Sequence, residues 1–346
     1  MKFLAGLAAL VSLAAAAPQA PTPLDVKLEM TGNSAVKATI TNNGKNNLKI
    51  FRTGTILDSS AVQKTRITGA DGNEVQFQGI RQRITTKNLG DDAFEHIPAG
   101  KSIEVVFNVG EVHDLSAGGN FDILSTGVMQ FAADKDNTLI GSVPYASNKL
   151  NTVVNGSEAA SIMKTFRVTK RVSVQSDCTG QKLSVTRAAL SNCAKLAKAA
   201  QSAAQSNDAK VKEYFKDSSS STKNKVAQVL GKVATECGST SGGVSKYYCT
   251  DVDNGCSSGV LAYTVPSQSF QAYCDLYFED LPGLTSRCHA QDQATTNLHE
   301  VTHLRQIAGT GDLGYGYQNA MRLNNKQALN NADTYALFAN AIYAGC

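Results

Sequence analysis

The first 177 residues contain no cysteine, and past its start the 346-residue chain has no stretch of the ~18 apolar residues that a membrane helix needs. No membrane anchor is therefore expected. Close C-x-x-C pairs are missing too, which argues against a cysteine-based metal site. No Glu follows Glu300 and no His follows His303, so any metal site built around these residues must find its remaining ligand among other residue types.

What is present divides the chain. Lys2, the apolar run Phe3 to Leu13 and the small residues Ala14 to Ala17 form a secretory signal, assigned to residues 1–19. All eight cysteines, Cys178, Cys193, Cys237, Cys249, Cys256, Cys274, Cys288 and Cys346, lie in the second half. An even number in an exported segment predicts disulfides. From Leu24 to about Val168 short alternating runs such as Ala35-Val-Lys-Ala-Thr-Ile are broken by turn signals such as Asn42-Asn43-Gly44, which predicts a β-sandwich. Asn155-Gly156-Ser157 is a sequon. At the change of composition stands Lys170-Arg171, a dibasic pair that a processing protease cuts. We therefore read residues 20–171 as a propeptide and 172–346 as the mature domain. Having no thiol to offer a metal, the propeptide is expected to block the cleft or assist folding, using an Asp, a Glu, His96 or His113.

The mature part opens with helical spacing over Leu183 to Ala204 and again over Val226 to Val233, a scaffold pair. Tyr247-Tyr248, Val260 to Val265 and Phe270 to Tyr273 read as strands, and one of them offers an edge to which an extended peptide can add. Asp292 caps the next helix, which carries His299-Glu300-Val301-Thr302-His303. Four residues apart, the two imidazoles share one helix face and can hold one Zn²⁺, with Glu300 beside it as general base for a bound water. From Val233 onward acidic residues outnumber basic ones, which favours cationic substrates through the field of the cleft.

A catalytic zinc takes a third protein ligand. Gln306 and Gly309 stand where a metzincin would carry Gly and His, and a thermolysin-like downstream Glu is absent. His289 lies beside Cys288 and reads as a surface residue. Asp312, Asp333 and Cys346 remain. Asp312 lies in a loop with Gly309, Gly311, Gly314 and Gly316 that can turn back to the helix, and is assigned as ligand. Asp333, set in a C-terminal helix, is the alternative; its expected task is to accept the ring N–H of a zinc-bound His.

His299-Glu300-Val301-Thr302-His303 followed by Gly309-Thr310-x-Asp312-x-x-Tyr315-Gly316 resembles the deuterolysin family of fungal metalloendopeptidases, over essentially the whole chain. The resemblance implies an α+β protein, a β-sandwich-like propeptide ahead of a mainly α zincin-type domain with a small sheet. It implies one zinc held by His299, His303 and Asp312, Glu300 activating water, and Tyr315 donating to the oxyanion. It also implies disulfides joining Cys178 to Cys249, Cys256 to Cys274 and Cys288 to Cys346, which leaves Cys193 with Cys237. The expected activity is secreted, extracellular hydrolysis of internal peptide bonds by a monomer, with a preference for basic proteins and no nucleic-acid or membrane partner. The alternative is a secreted, disulfide-rich binding or effector protein with a non-catalytic metal site.

Overall fold

Period-two alternation governs the first half of the chain. In the computed structural model, which describes residues 23–133, 135–163, 174–239 and 242–346, Leu24, Val26 and Leu28 are buried while Asp25 and Lys27 face solvent. Eleven strands are described here: β1 (Leu24–Met30), β2 (Ala35–Asn42), β3 (Leu48–Phe51), β4 (Arg66–Gly69), β5 (Arg81–Ile84), β6 (Phe94–Ile97), β7 (Ser102–Asn108), β8 (Gly119–Leu124), β9 (Thr126–Ala132), β10 (Leu139–Ala146) and β11 (Leu150–Val154). Ten of them form three antiparallel sheets, ordered β1-β2-β7, β10-β9-β3-β6 and β11-β8-β4. Val26 pairs with Ile40 and Leu28 with Ala38, so both strands turn one apolar face into a shared core with Ile67, Ile123 and Met129. The short helix α1 (Gly156–Ile162) follows, and its N-cap is Asn155 of the sequon. The signal segment and Lys170-Arg171 lie outside the described residues.

The eleventh strand, β5, belongs to the other half. A fourth sheet, ordered β12-β14-β13-β5, joins it to β12 (Lys246–Tyr248), β13 (Val260–Val265) and β14 (Phe270–Tyr273). The edge of β13, one of the strands expected to offer an edge to an extended peptide, is thus covered by the chain's own N-terminal half. Ahead of this sheet α2 (Gly180–Ser206), α3 (Asp208–Phe215) and α4 (Ser220–Gly238) form the scaffold. Small buried residues of α2, among them Ala189, Ala197 and Ala200, let α4 approach closely, and a disulfide joins Cys193 to Cys237 between the two helices. The other bonds are Cys178–Cys249, Cys256–Cys274 and Cys288–Cys346, the pairing the resemblance implies.

After α5 (Asp275–Glu279) comes α6 (Gln293–His303), then α7 (Tyr317–Ala320), α8 (Asn325–Leu329) and α9 (Ala332–Ala344). Asp292 caps α6 in a capping box with Thr295. Leu298, Val301 and Leu304 enter the core, as their spacing predicts, but the burial goes further. Every residue of α6 is buried, because α2, α4 and α9 pack on it together with β13 and β5. Replacing Cys193 and Cys237 together by Ser should cost about 2–4 kcal/mol in denaturant unfolding, since the bond closes a long loop. An unchanged unfolding midpoint would show that helix packing alone holds the pair.

Candidate metal centre

Helix α6 ends at His303, and the next residues double back on it. Leu304 leaves the helix with extended backbone, and its carbonyl accepts from the N–H groups of Ile307, Ala308 and Gly309. Gly309 takes a φ of 63°, a turn that favours glycine. The Thr310 N–H then donates to the Thr302 carbonyl at 3.2 Å, and the two threonine hydroxyls meet at 2.8 Å. Beyond the turn, the loop is stapled to the start of α9. Gly311 donates to the Asn330 carbonyl at 2.9 Å, and the Asn331 amide oxygen accepts from Leu313 and Gly314.

This loop brings Asp312 against the helix. Its Oδ1 lies 3.1 Å from His299 Nε2 and 3.3 Å from His303 Nε2. Both histidines are fully buried, and neither Nε2 nor the Asp312 Oδ1 forms a hydrogen bond that satisfies it. Buried polar atoms left this way are costly unless something else completes them. The three residues form the one cluster with metal-ligand geometry among the described residues, their candidate ligand atoms all within 4.8 Å of one another. Two imidazoles and a carboxylate suit Zn²⁺ and leave a position open. The donor set therefore fits the ion.

Neighbouring groups prepare the ring nitrogens. His303 Nδ1 is 2.9 Å from the Thr310 carbonyl, which can only accept; Nδ1 therefore carries the proton and Nε2 keeps its lone pair for a metal. Burial, with the Arg83 guanidinium beside it, pushes His299 down to about 3, so its ring is neutral at neutral pH. Asp333 does not take up its expected task directly. Its Oδ1 lies 3.6 Å from His299 Nδ1 and forms an ion pair with Arg83, whose Nη1 is 3.2 Å from the same ring nitrogen. The other Asp333 oxygen accepts from Gly316 N–H.

Glu300 is buried beside this cluster. Its Oε2 accepts from the Thr264 hydroxyl at 2.5 Å, and its Oε1 has no partner. Burial raises the carboxyl to about 7, into the range where a group can both take and return a proton. The Tyr315 ring lies 6.1 Å from the His299 ring, and its hydroxyl donates to the Gln82 carbonyl at 2.7 Å. Burial lifts the phenol well above its ordinary value, keeping it a donor.

Some expected residues are elsewhere. His289 stacks on Tyr317 at 3.8 Å and contacts the Tyr214 hydroxyl at 2.8 Å. His96 sits on β6, and His113 Nδ1 is 3.2 Å from the Val109 carbonyl. Neither belongs to the metal cluster; N-terminal residues that do reach the site include Arg81, Gln82 and Arg83, and Glu74 lines the cavity that His303 and Asp312 border. Sequence reasoning missed Arg83, Thr264 and Thr310. Thr310 was within reach, as it stands in the motif itself, whereas no local pattern links Arg83 to a helix 216 residues away.

Asp312→Asn should abolish stoichiometric Zn²⁺ uptake by metal-stripped protein in calorimetry. Asp333→Asn should keep the metal, with affinity lowered by no more than about 10–100-fold. The reverse ranking would exchange the two roles.

Comparison with known proteins identifies the family. The model of the deuterolysin metalloprotease family matches residues 1–346. A neutral protease 2 homolog of Phaeosphaeria nodorum is 50% identical over 355 residues, and one of Colletotrichum graminicola is 48% identical over 353, each alignment covering 100% of both chains. A solved structure titled a zinc peptidase from Grifola frondosa is 23% identical, with a TM-score of 0.39, over 47% of this chain and 97% of that one. The chain belongs to the deuterolysin metalloprotease family.

Proposed function

We propose that the chain is the precursor of a secreted zinc endopeptidase, with His299, His303 and Asp312 as ligands, Glu300 as general base and Tyr315 as oxyanion donor. The observation that carries this reading is the convergence of three partnerless ligand atoms beside a buried Glu300 whose Oε1 is equally partnerless. When bound, the ion lowers the pKa of its water towards ~7 and polarises the scissile carbonyl. The rest falls to the chain's own residues. Glu300 receives the water's proton at Oε1 while Thr264 fixes Oε2, and it then returns the proton to the leaving amine. The Tyr315 O–H donates to the oxyanion as charge develops there.

Residues 1–19 serve as export signal and 20–171 as prosegment, and a dibasic processing protease releases the mature enzyme after Lys170-Arg171. Four disulfides confined to residues from Cys178 onward support this division and an oxidising destination. Two features support a preference for basic proteins: the acidic surplus beyond Val233 and the buried Asp333 carboxylate, which receives a guanidinium beside His299.

The secreted protein should begin at Val172 and carry one zinc per chain, read by N-terminal sequencing and elemental analysis. Glu300→Gln in that processed form should retain its zinc yet lose about 10²–10⁴-fold in casein hydrolysis. Wild-type turnover by a zinc-loaded Glu300→Gln enzyme would remove Glu300 from the role of base.

A further inference from the structure

The N-terminal half reaches the metal centre through one short strand. β5 runs antiparallel to β13, with Gln82 opposite Tyr263 and Arg81 opposite Thr264, whose hydroxyl holds Glu300. Alternation gives Arg81 and Arg83 one face and Gln82 and Ile84 the other. The Gln82 amide accordingly donates away from the site, to the Gly255 carbonyl at 3.3 Å. Arg83 projects towards α6, its side chain 3% exposed, and pairs with Asp333 beside His299. Arg81 comes down on the far side, with Nη1 3.8 Å from where a Cβ on Gly311 would stand. Between the two arginines the Gln82 carbonyl accepts from the Tyr315 hydroxyl at 2.7 Å.

We propose that β5 is a substrate-mimicking latch: it takes the place of a bound peptide on the β13 edge, with Arg83 as its anchor and the Gln82 carbonyl on the oxyanion donor. This rests on the reading of residues 172–346 as the mature peptidase. Three features make the strand an occupant and not merely a neighbour. Main-chain pairing uses up the edge that an extended substrate requires. Tyr315 is engaged by a peptide carbonyl, the group it is proposed to serve. The Arg83 guanidinium fills the space next to His299 and forms an ion pair with the Asp333 carboxylate, both side chains almost fully buried.

The strand is also tethered on both sides. Ile80 N–H donates to the Ala61 carbonyl at 2.9 Å and Gln78 N–H to the Val112 carbonyl at 2.8 Å, which ties it to the prosegment. Thr85 N–H donates to the Gly259 carbonyl at 2.7 Å, and the Gln291 amide donates to the Ile84 carbonyl at 2.8 Å, which ties it to the mature domain. A tethered strand competes at high effective concentration, and that advantage ends when cleavage separates the two halves.

The test uses the full chain made uncuttable by Lys170→Ala and Arg171→Ala, with and without Arg83→Ala, and follows hydrogen exchange of β5 and β13 in metal-stripped protein beside peptidase activity in loaded protein. The parent should be latent, with β5 amides protected. Adding Arg83→Ala should speed β5 exchange by roughly two to four orders of magnitude, the size expected when a buried ion pair loses one partner, and should restore activity, while the amides of Val36 to Ile40 stay protected. Arg83→Lys should remain latent. Mature enzyme processed from an Arg83→Ala precursor should match wild type, since Arg83 is absent from it. Unprotected β5 amides in the parent, or an Arg83→Ala chain as latent and as protected as the parent, overturns the latch. If the enzyme reading itself fails, processed protein shows no peptidase activity, while exchange still reports on the strand.

Discussion

Holding two imidazoles and two carboxylates in one dry site is costly unless each polar atom outside the metal's reach has a partner, and much of the C-terminal half is arranged to meet that constraint. Thr310 supplies a carbonyl to His303 Nδ1 and, through its hydroxyl, pins the loop to Thr302. Thr264 takes one oxygen of Glu300. Asn331 caps the loop's own N–H groups, and Gly316 N–H takes one oxygen of Asp333. The candidate ligand atoms and Glu300 Oε1 are among the buried polar atoms left without such partners. The convergence of those on His299, His303 and Asp312 within 4.8 Å is what distinguishes a metal site from a merely buried polar cluster.

The same constraint explains why α6 is buried on every side. An amphipathic helix with one wet face would expose His299 or Glu300 to competing water hydrogen bonds and lower the field around them. Sheet β12-β14-β13-β5 supplies the missing wall. The polar residues Thr295, Thr296, Asn297 and Thr302 are buried with the rest. Asn297 accepts from the Tyr277 hydroxyl and Thr302 donates to the His299 carbonyl, which removes part of the cost of that burial.

Legibility in the sequence followed the range of the interaction. The His-Glu-x-x-His spacing works through one helical turn and the glycine loop through a dozen residues, so the clustering of Asp312 with His299 and His303 could be anticipated. Exhausting the downstream candidates alone left Asp333 and Cys346 open. Val260 to Val265 and Phe270 to Tyr273 were readable as strands because their apolar character is local. The roles of Thr264 and Arg83 were not readable. Each depends on which strand lies beside which helix, and β5, only four residues long, carries two arginines and a glutamine in a pattern that gives no apolar signal. Asp333 was legible as an inward carboxylate near His299, whose Nδ1 lies 3.6 Å away, whereas the second group that meets it, Arg83, comes from the other half of the chain and was not readable.

A strand suits the proposed latch for a reason that the composition already contains. Residues 20–171 have no thiol with which to ligate a metal, and neither His96 nor His113 belongs to the metal cluster, so inhibition by an added Cys or His ligand finds no support among the described residues. Main-chain pairing needs no particular side chain and would by itself hold any extended segment on β13. Selectivity therefore has to come from the Arg83 pair with Asp333. A buried ion pair is a weak source of net stability, because desolvation offsets its attraction, yet losing one partner leaves an uncompensated charge in the core. Such a pair fixes register strongly while adding little to the affinity of the closed state. That combination lets the strand seat in one position and still leave once its tether to the mature domain is cut.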